Sequence, residues 1–331
     1  MAGNSLKNQS SIELLGFQHR INFPEPETRQ WMSVRFEKKT VPLHQTASGA
    51  LLEIDVWEYV HPASERNCYI QSGLHGVELT GIPVLMRFMR EIEKRQPTER
   101  YVCVPWSNPM GLDSQIMGQQ TGYNNLHTNQ QNCWNWNRIT HLREEESVEG
   151  RWIRMLLKLS RDADVVIDLH TAGMETVPHV YVHRSQQDHA GYLGVPYLLA
   201  WETPSSSFSD TCYLRGQIAL TLELSASRTL TEASIESGLG YLRCFFGFCE
   251  RKDGTRAWNL EQLRKWYVPR GGVVSWHKQA GDEVRRGDPL LTLFTRQGEL
   301  LLESPYDGLL LLKNPIHAPH QHQELAKFLE C

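Results

Sequence analysis

A histidine three residues ahead of a glutamate, His75 and Glu78 in QSGLHGVELTG, can hand two ligands of different kinds to one divalent cation. A second histidine, His170, closes the apolar run DVVIDLH, and Glu223 stands inside the apolar run IALTLELS. Two imidazoles and one carboxylate suit zinc, with a fourth position left for water. An acidic residue inside a strand that reads as buried needs a partner or a function, which makes Glu223 a candidate base. Each piece also has an ordinary reading. Glu78 could be a first-turn carboxylate favoured by a helix dipole, His170 a solvated strand end, and Glu223 half of an ion pair. Asp168 lies two residues before His170, so the two side chains share one face of a strand, and the carboxylate could orient the imidazole. Asn108, just after YVCVPW, stands at an equivalent strand end.

Those residues need elements to hold them. ALLEIDVWEYV (50–60) alternates apolar and polar residues, as a strand does. CYIQSG (68–73), YVCVPW (101–106), DVVIDLH (164–170), HVYVH (179–183) and IALTLELS (218–225) are further strands. LTGIPVLMRFMREIEKR (79–95) has apolar residues at 82, 85, 86, 89 and 92, the spacing of a helix face, and Pro83 fits only a first turn. RWIRMLLKLSRDA (151–163) reads as a second helix, and a third is expected at 255–266. Strands alternating with helices imply an α/β fold with a mostly parallel sheet, whose carboxyl strand ends are where ligands gather. The glycines at 73 and 76 are expected to let the chain turn tightly beside His75.

After about residue 267 the character changes. PRGGVVSWHKQAGDEVRRGDPLLTLF and ELLLESPYDGLLLL are short β segments with Gly-Asp turns, and a helical pattern returns only in HQHQELAKFLE. The expected organisation is an α/β domain over 1–265, with 1–44 as an N-terminal extension, and a small all-β module over 266–331. That module resembles the lipoyl/biotinyl sandwich. The hairpin FTRQGELL carries no lysine, so a structural or access-shaping role is expected, without a covalent cofactor.

Composition narrows the class. The 331 residues are 40% hydrophobic and 22% charged with a formal net charge of −4, which suits a globular protein and offers no basic field to nucleic acid. No apolar run approaches the roughly 20 residues of a membrane helix, and the N-terminus lacks a signal pattern. Seven scattered cysteines read as reduced thiols of a cytoplasmic protein, with those of CFFGFC (244–249) as buried helix thiols rather than a metal pair.

The segments GLHGVE, SNPMG, NWNR, DLHTAG and LTLELS, in that order, resemble the succinylglutamate desuccinylase/aspartoacylase family, within the wider zinc carboxypeptidase-like group. The resemblance covers roughly residues 45–325. It implies one zinc ion per chain held by His75, Glu78 and His170, Glu223 as catalytic base, and Asn137 with Arg138 gripping a substrate carboxylate. Asn108 joins them as a substrate-binding candidate. The implied reaction is hydrolysis of an N-acyl amino acid or related small amide; a carboxypeptidase or amidase acting on a short peptide is the alternative, and a non-catalytic zinc protein a weaker one. No membrane or nucleic-acid partner is implied, and a homo-oligomer is compatible. One departure stands out. The family's usual arginine between the NP and NR motifs has no counterpart, since no Lys or Arg occurs between Asn108 and Arg138. His127 or Tyr123 are candidate substitutes. The neutral segment with Trp134 and Trp136 suggests a less anionic, larger substrate group, unless those tryptophans belong to the core.

Overall fold

Apolar runs bounded by turns set the frame. The computed structural model describes residues 34–331, apart from positions 46, 114, 117–118, 121–134, 139, 142–146, 173–174, 226–229, 251–253 and 315. The chain opens with strands β1 (Glu37–Gln45), β2 (Leu51–Tyr59) and β3 (Asn67–Ser72), then helix α1 (Gly81–Arg95) and strand β4 (Arg100–Val104). A short helix α2 (Pro109–Asp113) and the two-residue strands β5 (Gln115–Ile116) and β6 (Gln119–Gln120) follow. Next come α3 (Val148–Leu159), β7 (Val165–Thr171), β8 (Glu175–Thr176), β9 (His179–His183), α4 (Gln187–Gly191) and β10 (Tyr197–Trp201). Helix α5 (Phe208–Tyr213), strand β11 (Ile218–Leu224), helix α6 (Glu232–Phe245) and strand β12 (Arg256–Asn259) complete the large layer. The C-terminal part is all β: β13 (Leu263–Tyr267), β14 (Val273–Trp276), β15 (Glu283–Val284), β16 (Pro289–Thr295), β17 (Gly298–Glu303), β18 (Gly308–Lys313) and β19 (Glu324–Glu330).

Among the described residues, nine strands form one mixed, mostly parallel sheet in the order β1-β2-β4-β3-β7-β11-β9-β10-β12. Strand β7 is central and every one of its seven residues is buried, which explains its unbroken apolar sequence around Asp168 and His170. Helices α1 and α6 cover one face of the sheet, and α3 and α5 the other. Each fully buried Val, Leu or Ile of this kind stabilises the fold by about 1.5–3 kcal/mol. The expected helix at 151–163 lies three residues earlier, because Ser147 caps it by accepting a hydrogen bond from the Gly150 amide. Trp136 is fully buried and packs edge-on against Trp152, with centroids 5.5 Å apart, so it belongs to the core rather than to a ligand face.

Strands β13, β19, β18 and β15 form a second sheet, and β14, β16 and β17 a third, both antiparallel. Two segments expected to be helical are strands. Residues 256–259 and 263–267 are β12 and β13, separated by a single 3-10 turn at Leu260–Gln262, so this stretch closes the large sheet and opens the small one. ELAKFLE, with apolar residues at 325, 326, 328 and 329, imitates a helix face. As β19 it lies between β13 and β18 with Leu325, Ala326, Phe328 and Leu329 buried, and packing against two neighbours overrides the local pattern. The small sheet is also tied to the large domain. Strand β8 pairs with β18, Thr176 opposite Leu312 and Glu175 opposite Lys313, and Leu199 shares a core cluster with Leu309, Leu311 and Leu329. Cys244 is a buried thiol at the end of α6, as expected, whereas Cys249 lies beyond the helix and is exposed.

Candidate metal centre

Strand β3 ends at Ser72, and the loop that follows carries His75 and Glu78 before α1 begins at Gly81. Gly73 has φ +68°, the left-handed turn expected of it. Gly76 serves a different end. A Cβ there would lie 2.2 Å from the backbone of Gly111 in the short helix α2, so only glycine lets the loop close on that helix. Asn108 finishes the clamp. Its side-chain amide donates to the Leu74 carbonyl at 3.0 Å, and its Oδ1 accepts from the Gly111 amide at 2.9 Å. Fully buried and committed at both ends, Asn108 holds the loop bearing His75 instead of lining a ligand space.

The loop brings three donors together. Ligand atoms of His75, Glu78 and His170 all lie within 4.8 Å of one another, and they are the group among the described residues that could hold a metal ion. Glu78 bridges the two rings: Oε1 is 2.8 Å from His75 Nδ1, and Oε2 is 2.8 Å from His170 Nδ1. The Thr171 amide also donates to Oε2 at 3.0 Å.

The outer nitrogens fix the tautomers. Asn135 Oδ1 accepts the Asn137 backbone N–H at 2.8 Å, which places its oxygen, and the same atom stands 2.8 Å from His75 Nε2. That nitrogen therefore carries the proton. Asp168 Oδ2 lies 2.8 Å from His170 Nε2 and does the same there, while its Oδ1 accepts from Gln71, whose own oxygen accepts from the Tyr69 hydroxyl. Both histidines thus turn Nδ1 toward a carboxylate. Lone pairs facing lone pairs at 2.8 Å require a cation between them, either protons or a metal. The electrostatics agree. Although burial alone would raise Glu78, the facing imidazoles of His75 and His170 hold its carboxyl down at about 2. Burial disfavours charge on His170, but Asp168 and Glu78 overcome it and push the imidazole well above its usual range. The donor set, the converging Nδ1 atoms and the carboxylates behind them fit zinc.

Glu223 is the register partner of His170 on the adjacent parallel strand β11. Its Oε2 is buried without a hydrogen-bond partner among the described residues, and burial raises its carboxyl to about 7, His170 drawing it down and Glu78 pushing it further up. On the other side, Glu223 is opposite His179 of β9, whose Nδ1 points to the Val177 carbonyl at 2.9 Å and whose Nε2 is likewise buried and unpartnered. Glu223 opens into a cavity of about 320 Å³ that also exposes Arg138, Tyr181, Trp201, Lys265 and Lys327. Asn137 borders it, but its Oδ1 is occupied by the Phe208 amide at 2.7 Å. Arg138 donates one guanidinium N–H to the Asn137 carbonyl at 2.6 Å and is otherwise exposed. The structure therefore brings together His75, Glu78, His170, Asp168, Glu223, Asn137 and Arg138, and sets Asn108 behind them. Tyr123, His127 and Trp134 lie outside the described residues. Asn135, Gln71, Lys265 and Lys327 were not singled out by spacing. The lysines sit on segments whose apolar pattern suggests helix.

A buried carboxylate at one strand end and, beside it, a two-histidine, one-carboxylate cradle that could hold a metal ion stand on an α/β fold with flanking helices. The model of the succinylglutamate desuccinylase/aspartoacylase catalytic domain matches residues 64–244, and the chain belongs to that family. Among solved structures, a succinylglutamate desuccinylase/aspartoacylase family protein from Shewanella amazonensis superposes with a TM-score of 0.76 at 21% identity, covering 88% of this chain and 98% of that one. One from Shewanella frigidimarina gives 0.76 at 19%, covering 90% and 98%. The ectoine utilization protein EutE of Ruegeria pomeroyi, with its product bound, gives 0.76 at 17%, covering 90% and 95%. These likenesses reach into the C-terminal sheets. No curated protein sequence matches. Among the described residues no helix is long and apolar enough to cross a membrane.

Proposed function

We propose that this chain is a zinc-dependent amidohydrolase that splits an N-acyl amino acid or related small amide into a carboxylic acid and a free amine. The observation that carries the reading is the unpartnered, buried carboxylate of Glu223, opposite His170 in register and open to the cavity. A structural carboxylate so placed would have a partner. A zinc ion held by His75, Glu78 and His170 supplies Lewis acidity, lowering the pKa of bound water toward about 7.

The chain's own residues do the rest. Glu223 takes a proton from the attacking water on its free Oε2 and delivers it to the departing amine nitrogen. The C–N bond breaks as the new C–O bond forms, and one water is consumed per amide. Asp168 and Asn135 hold the two imidazoles in the tautomer that leaves Nδ1 free. Arg138, with guanidinium donors to spare, grips the substrate carboxylate by parallel hydrogen bonds. Asn137 positions that arginine, since its carbonyl accepts the Arg138 N–H and its side chain is fixed on Phe208.

The test is a panel of N-acyl amino acids and short peptides, assayed for free amine with zinc-loaded and chelated protein. Zinc-dependent release from an N-acyl amino acid is expected. Release of a C-terminal residue from peptides alone would replace this reading with a carboxypeptidase, and hydrolysis that survives Glu223→Gln would remove the assigned base.

A further inference from the structure

Strands β7, β11 and β9 lie side by side in the large sheet, and their register sets His170, Glu223 and His179 in one row. Directly opposed residues on paired strands share a face, so the three side chains leave the sheet on the same side. The proposed reaction gives the first two a task and leaves the third without one. His179 is fully buried. Its Nδ1 stands 2.9 Å from the Val177 carbonyl, which can only accept, so Nδ1 carries the ring proton and Nε2 is a bare lone pair. That Nε2 is buried and has no hydrogen-bond partner among the described residues. Burial pulls the imidazole down to about 4, with the Val177 carbonyl pulling the other way and Lys327 lowering it further, so the ring is a neutral acceptor near pH 7. The Tyr181 ring packs edge-on against it, centroids 5.0 Å apart, and with the tether at Val177 this leaves the imidazole little freedom to turn.

Two buried acceptors therefore occupy opposed positions, Nε2 of His179 and Oε2 of Glu223, and neither has a donor among the described residues. An unmatched acceptor in the interior costs stability, and two lone pairs cannot satisfy each other. A single proton resolves both. Building on the amidohydrolase reading, we infer that His179 is a positioning residue for Glu223, its Nε2 accepting a hydrogen bond from the Oε2–H that Glu223 carries between its two proton transfers. One O–H bond of the attacking water breaks as Oε2–H forms. The proton then stays on Oε2, because a buried imidazole that already holds the Nδ1 proton resists a second. Oε2–H breaks as the new N–H bond of the leaving amine forms. The imidazole neither gains nor loses a proton; it holds the carboxyl in one rotamer while the C–N bond breaks. His179 thus does for the base what Asp168 does for the ligand His170.

The test uses the zinc-loaded full chain and whichever N-acyl amino acid it hydrolyses. His179→Asn keeps a donor for the Val177 carbonyl but ends short of the Nε2 position, and His179→Gln reaches that position with an acceptor oxygen. The asparagine variant should lose about tenfold in kcat, with KM within about twofold and zinc content unchanged, and the glutamine variant should recover most of that loss. Full kcat in the asparagine variant, a loss expressed in KM, or no recovery with glutamine overturns the inference. If the asparagine variant does not fold, His179→Leu takes its place under the same criteria. A second readout needs no substrate. In Glu223→Gln the side-chain amide supplies permanently the donor that the reaction supplies in passing. That substitution should therefore raise the melting temperature by about 2 °C more in protein with His179 than in protein carrying His179→Asn. Should no N-acyl amino acid be hydrolysed, the amidohydrolase reading fails by itself, and this comparison still decides whether Nε2 faces residue 223. Equal shifts in the two backgrounds would remove His179 from the site.

Discussion

The metal cradle and the cavity side formed by β13 and β19 are built on opposite principles. In the cradle on β7 and the loop after β3, His75, Glu78, His170 and Asp168 each have a partner at 2.8 Å, and a further layer of Asn135, Gln71 and Tyr69 stands behind them. On the wall formed by β13 and β19, two lysines share one carboxylate at 3.3 and 3.7 Å, and Lys265 is more than half exposed. The first wall is preorganised and dry, so its geometry is set before any ligand arrives. The second is wet and under-paired, so its charges are free to pair with whatever enters.

Substitutions can break or sharpen that contrast. The largest effect is expected from His75→Ala, which removes one of three ligands: zinc bound per chain, by elemental analysis, should fall from about one to near zero and hydrolysis should stop with it. Unchanged stoichiometric zinc would dissolve the cradle. Next comes Glu223→Gln, which should cut kcat by about 10²–10⁴-fold while zinc content stays unchanged. Asp168→Asn leaves the three ligands in place but weakens the hold on the His170 tautomer, and zinc affinity from competition with a chelator should drop about 10–100-fold. A smaller loss would mean that the layer behind the ligands is ornamental. Gly76→Ala forces apart the loops closed on Gly111 and should cost about 1–3 kcal/mol of stability in urea unfolding. Lys265→Gln should change the same measurement by no more than about 0.5 kcal/mol, as expected of a half-exposed side chain outside the packed core. A shift above 1 kcal/mol on the lysine wall would make it structural and erase the contrast.

The dry wall was also the legible one. Strands β3, β7 and β11 are buried on both faces, and burial writes itself as apolar runs in which Asp168, His170 and Glu223 are conspicuous. The spacing of His75 and Glu78 then pointed to one ion. Legibility ended where partners come from far away in sequence. Asn135 reaches His75 across 60 residues, and nothing in the NWNR segment announces that bond. The glycine at 76 suggested a turn, but its reason is the backbone of Gly111. Asn108 sits at a strand end like the ligands, yet its amide is consumed by Leu74 and Gly111. The wet wall was misread altogether. The apolar spacing of both 255–266 and ELAKFLE imitates a helix, but pairing with β10 in the large sheet makes β12, and pairing within the small sheet makes β13 and β19. The two lysines escaped notice for that reason: a residue assigned to the wrong element is assigned to the wrong face.

The antiparallel pairing of β8 with β18 has a further consequence. The backbone leaving β7 at Thr171 re-enters a strand at Glu175, and that strand belongs to the sheet that carries Lys327. Four residues of chain span at most about 14 Å. The salt bridge of Glu175 with the buried Lys313, at 2.8 Å, pins the landing point. The small sheet is therefore stapled to the chain that follows the metal-bearing strand, by backbone pairing and by an ion pair, instead of hanging only from the segment between β12 and β13.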